Sequence, residues 1–360
     1  MSAKVAASPL WAIIADETTV RAHREQLVIA VRYLDQKDGK DVLRGGPVSL
    51  ADVFQRLNAA ETESEVKLSG QNLVKIVLEA VDRLHRDKKC LIAQCYDGAA
   101  AMSSMKAGVA AHVQREAPLA HYYHCAMHGL NLAASKMSSV RAVRNAQGTM
   151  ETVIAFVADG AKRSVVLQQA QKRTGQSQQR LIKLCVTRFV ERYTSVRRFC
   201  EQFAAIADDL RLMTDWTDAI TISKANMFLK AMAASDFLVA IVTMKELGSL
   251  LRPVSLKLQQ PGEDLIQTLG LARTTISTLT DLRTGSHRSG LLSSFDELMA
   301  EAQMMAEELD TTIERPRIPA HRSTVRANVG DDLGVTGYFR VNVYFPAIDA
   351  VQQDMEESGV

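Results

Sequence analysis

The hydrophobic period of this chain changes once, near residue 140, and that change limits the fold more than any other feature. Before it, short apolar runs of strand length alternate with segments of helical spacing. After it the strand signal nearly vanishes. Runs at residues 12–16, 26–34, 91–97 and 121–124 predict strands, and a weaker one lies at 42–50. Leu27-Val28-Ile29-Ala30-Val31 is unbroken and follows the first run after a short connection, which predicts a hairpin. Helices are predicted at 69–84, where Leu73, Ile76, Val77, Ala80, Val81 and Leu84 share one face, and at 108–116 and 130–137.

Downstream, amphipathic helices are predicted at 140–158, 162–173, 179–184, 190–212, 224–251, 264–282 and 291–308. Breakers separate them: Asp159-Gly160, Thr174-Gly175, Pro253, Pro261-Gly262 and the stretch 285–290. Residues 314–334, with Pro316 and Pro319, read as a linker. Residues 335–345 are aromatic and predicted extended, ahead of a short final helix. The expected architecture is an α/β domain with a mixed sheet and a long all-α region, helix-dominated as a whole. Its expected divisions are 1–140, 141–312 and 313–360.

The net charge of +2 conceals an asymmetry. Residues 141–200 carry twelve Lys and Arg against three acids, whereas the chain from 201 onward is acidic by nine. A basic stretch of this kind is either a polyanion footprint or the solvated face of helices. Five cysteines, an odd number set in or beside apolar runs, favour free thiols in a reducing compartment. No apolar run approaches the roughly 18–20 residues of a membrane span. A nuclear or cytoplasmic protein is expected.

Three groups of residues carry chemistry. Asp16 and Asp97 each end an apolar run, as carboxylates presented at strand ends do. Two such acids suit a divalent cation of the two-metal phosphoryl-transfer kind, although either acid also suits a turn or a helix cap. His121, His124, Cys125 and His128 include a Cys-x-x-His pair compatible with half a zinc site. With no second pair at zinc spacing in the chain, zinc is not expected; the alternative is a catalytic role for His128, a helix-start histidine near an acidic metal centre whose imidazole contacts a phosphate. Arg188, Phe189, Arg192 and Tyr193, with Arg197-Arg198-Phe199 beyond, interleave cations and aromatics in a way that fits phosphate pairing and base stacking. An ordinary amphipathic helix has the same pattern.

Together these segments resemble the transposases of the hAT superfamily and proteins domesticated from them, in particular the branch that includes the MYM-type zinc finger proteins. The resemblance rests on Ile13-Ile14-Ala15-Asp16-Glu17-Thr18-Thr19, Glu25-Gln26-Leu27, Arg32-Tyr33-Leu34-Asp35, and Tyr96-Asp97-Gly98-Ala99-Ala100-Ala101-Met102-Ser103 with Gly108-Val109. It continues through His124-Cys125-Ala126-Met127-His128-Gly129-Leu130-Asn131-Leu132, Lys162-Arg163, 184–192 and 338–346, in family order over most of the chain. It implies an RNase H-like domain interrupted by a helical insertion, a DDE set of acids with Mg²⁺ or Mn²⁺, and transposon-end DNA as partner. By position Asp16 is the first acid, Asp97 the second, and Cys125 with His128 the Cys-x-x-His signature beside the catalytic site. Arg188 and Phe189 match an Arg-Trp pair whose aromatic holds a flipped base, and Lys162, Arg163 and Arg192 join the expected DNA-binding set.

Two departures shape the expectation. Phe189 stands where the family has Trp, with less stacking area and no indole donor. The family's third acid lies beyond its helical insertion, and Glu301, Glu307 and Glu308 do not sit in a matching context. The sequence given ends at Val360 without such a helix, and without an N-terminal zinc-finger module at its start. The expectation is therefore a DNA-binding, transposase-derived protein that does not complete cleavage and strand transfer alone. The alternative is a domesticated, non-enzymatic regulatory protein with protein partners. Family self-association runs through a C-terminal segment not matched here, which leaves a homo-oligomer open.

Overall fold

A computed structural model describes residues 2–19, 25–57, 68–85, 87–185, 188–260, 265–285, 295–316 and 333–358. The chain forms two compact units, one spanning Met1–Gly129 and the other Leu130–Gln259 with Leu265–Val360.

The first unit is built on a five-stranded mixed sheet: β1 (Trp11–Thr19), β2 (Glu25–Lys37), β3 (Lys40–Asp52), β4 (Leu91–Tyr96) and β5 (His121–His124). Its order is β3-β2-β1-β4-β5, antiparallel across β1–β2 and β2–β3 and parallel across β1–β4 and β4–β5. β2 and β3 are joined by Asp38-Gly39, both at positive φ (54° and 73°), the conformation a two-residue hairpin needs to match strand twist. Short α1 (Ser2–Ala7) and α2 (Val53–Arg56) flank these strands. α3 (Gly70–Asp82), α4 (Ala100–Ser103), α5 (Val109–Glu116) and α6 (Ala126–Lys136) follow in order.

Alternation assigns the two faces of the sheet. Trp11, Ile13 and Ala15 of β1 and Leu27, Ile29 and Val31 of β2 are buried with Leu73, Ile76, Val77 and Ala80 of α3 and Val109 and Val113 of α5. Removing aliphatic side chains of this kind from water contributes roughly 1.5–3 kcal/mol each. Ser69 caps α3 by accepting from Asn72 N–H (3.3 Å). At Gly70 a Cβ would run into the carbonyls of Ala101 and Ala107, so only glycine lets α3 start this close to the α4–α5 loop. Where β1 meets β4 the register shifts between Trp11 and Ala12, which turns Gln94 and Tyr96 inward and Cys95 to the opposite face.

The second unit is helical: α7 (Arg141–Ala158), α8 (Ala161–Arg173), α9 (Phe189–Glu201), α10 (Phe203–Thr214), α11 (Ala219–Met232), α12 (Ser235–Gln259), α13 (Leu265–Thr284) and α14 (Phe295–Glu307). It ends with α15 (Val335–Phe339), a π turn (Arg340–Tyr344) and α16 (Phe345–Ser358). α12 is its axis, apolar on most sides and packed by α7, α9, α13 and α14. An α/β domain and an all-α region are thus both present as expected.

Several boundaries differ from expectation. The segment 190–212 is two helices that meet at Gln202, a buried side chain whose Oε1 accepts from Gln171 Nε2 (2.8 Å). The segment 224–251 likewise divides between α11 and α12. Pro253 does not end a helix; α12 runs through it. The segment 179–184 is not helical, because its carbonyls are taken by side chains. Gln179 O accepts from Gln171, Arg180 O from Arg198, and Ile182 O from Ser195 (2.6 Å). Residues 335–345 are helical rather than extended. The readings at Pro261-Gly262, 286–290 and 291–294, and most of the proposed linker (317–332), lie outside the described residues.

Candidate acid and thiol site

The carboxyl ends of β1, β4 and β5 gather the residues that the sequence marks. Ile14 is level with Cys95 in the parallel register; Asp16 lies two residues beyond Ile14 on β1, and Asp97 two beyond Cys95, in the turn after β4. The Asp97 carboxylate accepts from Ala99 N–H (3.2 Å), which folds the turn after β4, and its carbonyl accepts from Tyr122 Oη (3.0 Å). Gly98 is pressed against His124: a Cβ there would lie 3.1 Å from the imidazole Cε1.

Two further acids belong to this end of the sheet. Desolvation, then the charges of Asp97, Glu25 and Asp16, raise the Glu17 carboxyl above its ordinary value. Glu17 and Glu25 were not picked out as site residues. The signal lies in the antiparallel register, which pairs Thr19 with Glu25 and so sets Glu25 one step from Glu17 on the same face.

Cys125 follows β5 directly, and its N–H donates to Tyr96 O (2.8 Å). The Cys95 thiol donates to the Cys125 sulfur, which also accepts from the His128 and Met127 amides at the start of α6. These bonds hold the Cys125 thiol down at about 6 against burial and the charge of Asp16, and the same pairing drives the Cys95 thiol up. His128 therefore meets Cys125 through its backbone, while its ring lies 5.9 Å from that of His124.

A hard divalent cation fits the donors here on chemical grounds. Asp16 and Asp97 offer oxygen, and Glu17 nearby is raised first by desolvation and then by the charges of Asp97, Glu25 and Asp16. Among the described residues, no group of three or more His, Cys, Asp or Glu side chains has the geometry to hold a metal. Two carboxylates completed by water and phosphate oxygens are the arrangement that Mg²⁺ tolerates.

The expected DNA-binding residues lie in the helical unit and divide by exposure. Phe189 is 2% exposed and Arg192 5%. The Phe189 N–H donates to Asn131 Oδ1 (2.9 Å), capping α9, and Arg192 Nη2 donates to Ser135 Oγ (3.0 Å). Neither meets solvent as placed. Arg188 is exposed and paired with Glu191 (3.1 Å), Lys162 lies over the Trp216 ring (3.9 Å), and Arg163 donates to Phe156 O. Arg173, Lys183 and Arg197 are also engaged, with Asp208, Asp159 and Glu201. Much of the basic surplus of 141–200 is thus spent inside the unit. Among the described residues no single helix is long and apolar enough to cross a membrane.

No family model matches the chain. It is 22% identical, over 97% of its own length, to the human protein named 52 kDa repressor of the inhibitor of the protein kinase, of which it spans 44%.

Proposed function

We propose that this chain is a transposase-derived DNA-binding protein of the nucleus whose α/β unit keeps two acids of a hAT-type site, Asp16 and Asp97. One observation carries the reading: β1 and β4 are adjacent and parallel, Asp16 lies two residues beyond Ile14 and Asp97 two beyond its partner Cys95, which fits the first two acids that the resemblance implies. The long, weak similarity to the human repressor supports the same lineage.

Asp16 and Asp97 are the residues that would hold Mg²⁺ or Mn²⁺, and the ion would supply charge stabilisation at a phosphodiester. Glu17, protonated more readily than an ordinary glutamate, sits within reach of this charge but on the other face of β1. Gly98 and Tyr122 fix the turn that orients Asp97. The activity proposed for this chain is DNA binding, with cleavage and strand transfer not completed by it alone.

Incubation with terminal-repeat duplex and Mg²⁺ or Mn²⁺ tests it. Retarded but uncut DNA is expected, and robust cutting overturns the inactive reading. A second reading, a regulatory protein acting through protein partners, is favoured by the burial of Phe189 and Arg192. It requires that Asp16→Ala with Asp97→Ala leave the cellular phenotype unchanged. Altered DNA processing in that double variant counts against it.

A further inference from the structure

A cavity of about 270 Å³ in the helical unit lies where segments distant in sequence meet: the starts of α7, α12 and α16, and the π turn. Arg141 opens α7 and Asp236 stands in the first turn of α12, both on the cavity wall. Arg141 Nη2 lies 3.9 Å from Asp236 Oδ2, longer than a hydrogen bond, so the charges face one another without joining. Val140 gives α7 no side-chain cap, and the first amides of this 18-residue helix add partial positive charge beside Arg141. Val140, Val341, Val343 and Pro346 supply apolar wall. Tyr338, also on the wall, is 5% exposed, and its ring is held by Phe339 (5.2 Å) and the Arg315 guanidinium (5.3 Å). The π turn follows, with Asn342 Nδ2 donating to Tyr338 O (2.8 Å). Such turns are rare in helices and recur where a site is built.

We propose that this cavity binds a small zwitterion with an apolar body, of the class of the free apolar α-amino acids. The ligand carboxylate accepts from the Arg141 guanidinium and the first amides of α7, and the ligand ammonium donates to the Asp236 carboxylate. The ligand side chain lies against Val341 and Pro346. The opposed charges select this class. A simple anion drawn to Arg141 also meets Asp236, and a simple cation drawn to Asp236 also meets Arg141 and the α7 start. A zwitterion answers both. The volume lies just under the range of about 300–1,000 Å³ that holds drug-sized ligands, which suits a single molecule of amino-acid size. The site uses neither Asp16 nor Asp97, so it stands apart from the reading of those acids.

Calorimetric titration of the whole chain with L-leucine tests the site. Saturation at one molecule per chain is expected. The probes 4-methylpentanoate and 3-methylbutylamine keep the leucine body with one charge each, and both should bind roughly tenfold or more weakly. Arg141→Met should abolish the leucine response. Asp236→Asn should weaken L-leucine and strengthen 4-methylpentanoate, a reversal that loss of folding does not produce. Three results overturn the proposal: no saturation by L-leucine at millimolar concentration, 4-methylpentanoate binding as well as L-leucine to the parent chain, or undiminished leucine binding by Arg141→Met. The comparison of the three probes on the unmodified chain needs no variant, so a folding defect in either substitution leaves it decisive.

Discussion

Glu17 and Asp97 share one electrostatic neighbourhood although Glu17 lies on β1 and Asp97 in the turn after β4. Desolvation and then the Asp97 charge hold the Glu17 carboxyl above its ordinary value, with Glu25 and Asp16 adding to the effect. The sign follows directly. A carboxyl raised in the folded state binds more protons there than in the unfolded chain, so it lowers stability as pH rises through its folded value. Asp97→Asn removes the largest charge acting on Glu17 and should move its titration toward 4.5, as read by carboxyl NMR. Millimolar Mg²⁺ should move it the same way in the parent chain. If the substitution leaves the Glu17 titration in place, the two carboxylates are not coupled.

Asp209 of α10 is a sharper case. Its side chain is fully buried, and neither carboxylate oxygen has a hydrogen-bond partner. Burial and the Asp208 charge push it up to about 7, while Arg173 and Arg163 of α8 pull the other way. Its folded pKa lies above the unfolded one, so the charge costs nothing below about pH 4 and the full amount above about pH 7. The interval between 3.8 and about 7 corresponds to about 4 kcal/mol at 1.36 kcal/mol per unit. Asp209→Asn should raise the melting temperature at pH 8 by several degrees and leave it nearly unchanged at pH 4. Parallel melting curves for parent and variant across that range would show that the buried carboxylate is solvated.

The sheet and most helices were legible because their cause is local. Alternation in β1 and β2 and the 3–4 spacing in α3 can be read off a string of letters. The helical end of the chain was not. Residues 335–345 are rich in aromatic and β-branched side chains, which favour strands by composition. Yet Phe339, Val343, Ala347, Val351 and Met355 recur every four residues and are all buried. That period was visible, but the aromatic run outweighed it. The break at Gln202 was less visible, since it depends on a buried amide pair with Gln171, 31 residues away in sequence. At the site, Asp16 and Asp97 could be found as acids after apolar runs. Glu17, Glu25 and the Cys95–Cys125 contact depend on cross-strand register, which no single segment encodes.

Gly248 in α12 faces Tyr193 in α9 with no room for a side chain. A Cβ would overlap Tyr193 Cδ2 and lie 3.2 Å from Cε2. Tyr193 is itself 9% exposed and ring-stacked with Phe189 at 6.3 Å, so it has little space to retreat. Gly248→Ala would gain helix propensity of about 1 kcal/mol on an open helix, but overpacking here should cost about 1–3 kcal/mol. The net expectation is destabilisation by chemical denaturation, relieved when Tyr193→Leu is added. Additive effects of the two changes would mean that the helices part without strain.

Arg188 and Arg192 are four residues apart and should behave oppositely if the chain binds DNA. The Arg188 side chain is exposed, and its pairing with Glu191 is a surface contact worth at most about 1 kcal/mol. Arg192 is buried, bonded to Ser135, and has an Nε without a partner. Burial lowers its pKa, against the influence of Cys185. Replacing a poorly paired buried cation by an apolar side chain of similar length is often neutral or stabilising, so Arg192→Met should leave stability within about 1 kcal/mol of the parent. It should also leave the salt dependence of DNA affinity unchanged. Arg188→Ala should reduce the slope of log affinity against log salt by about 0.9, the amount that one lost phosphate contact gives. If Arg192→Met shows that loss and Arg188→Ala does not, the α9 start must open on DNA, exposing the arginine and the Phe189 ring together.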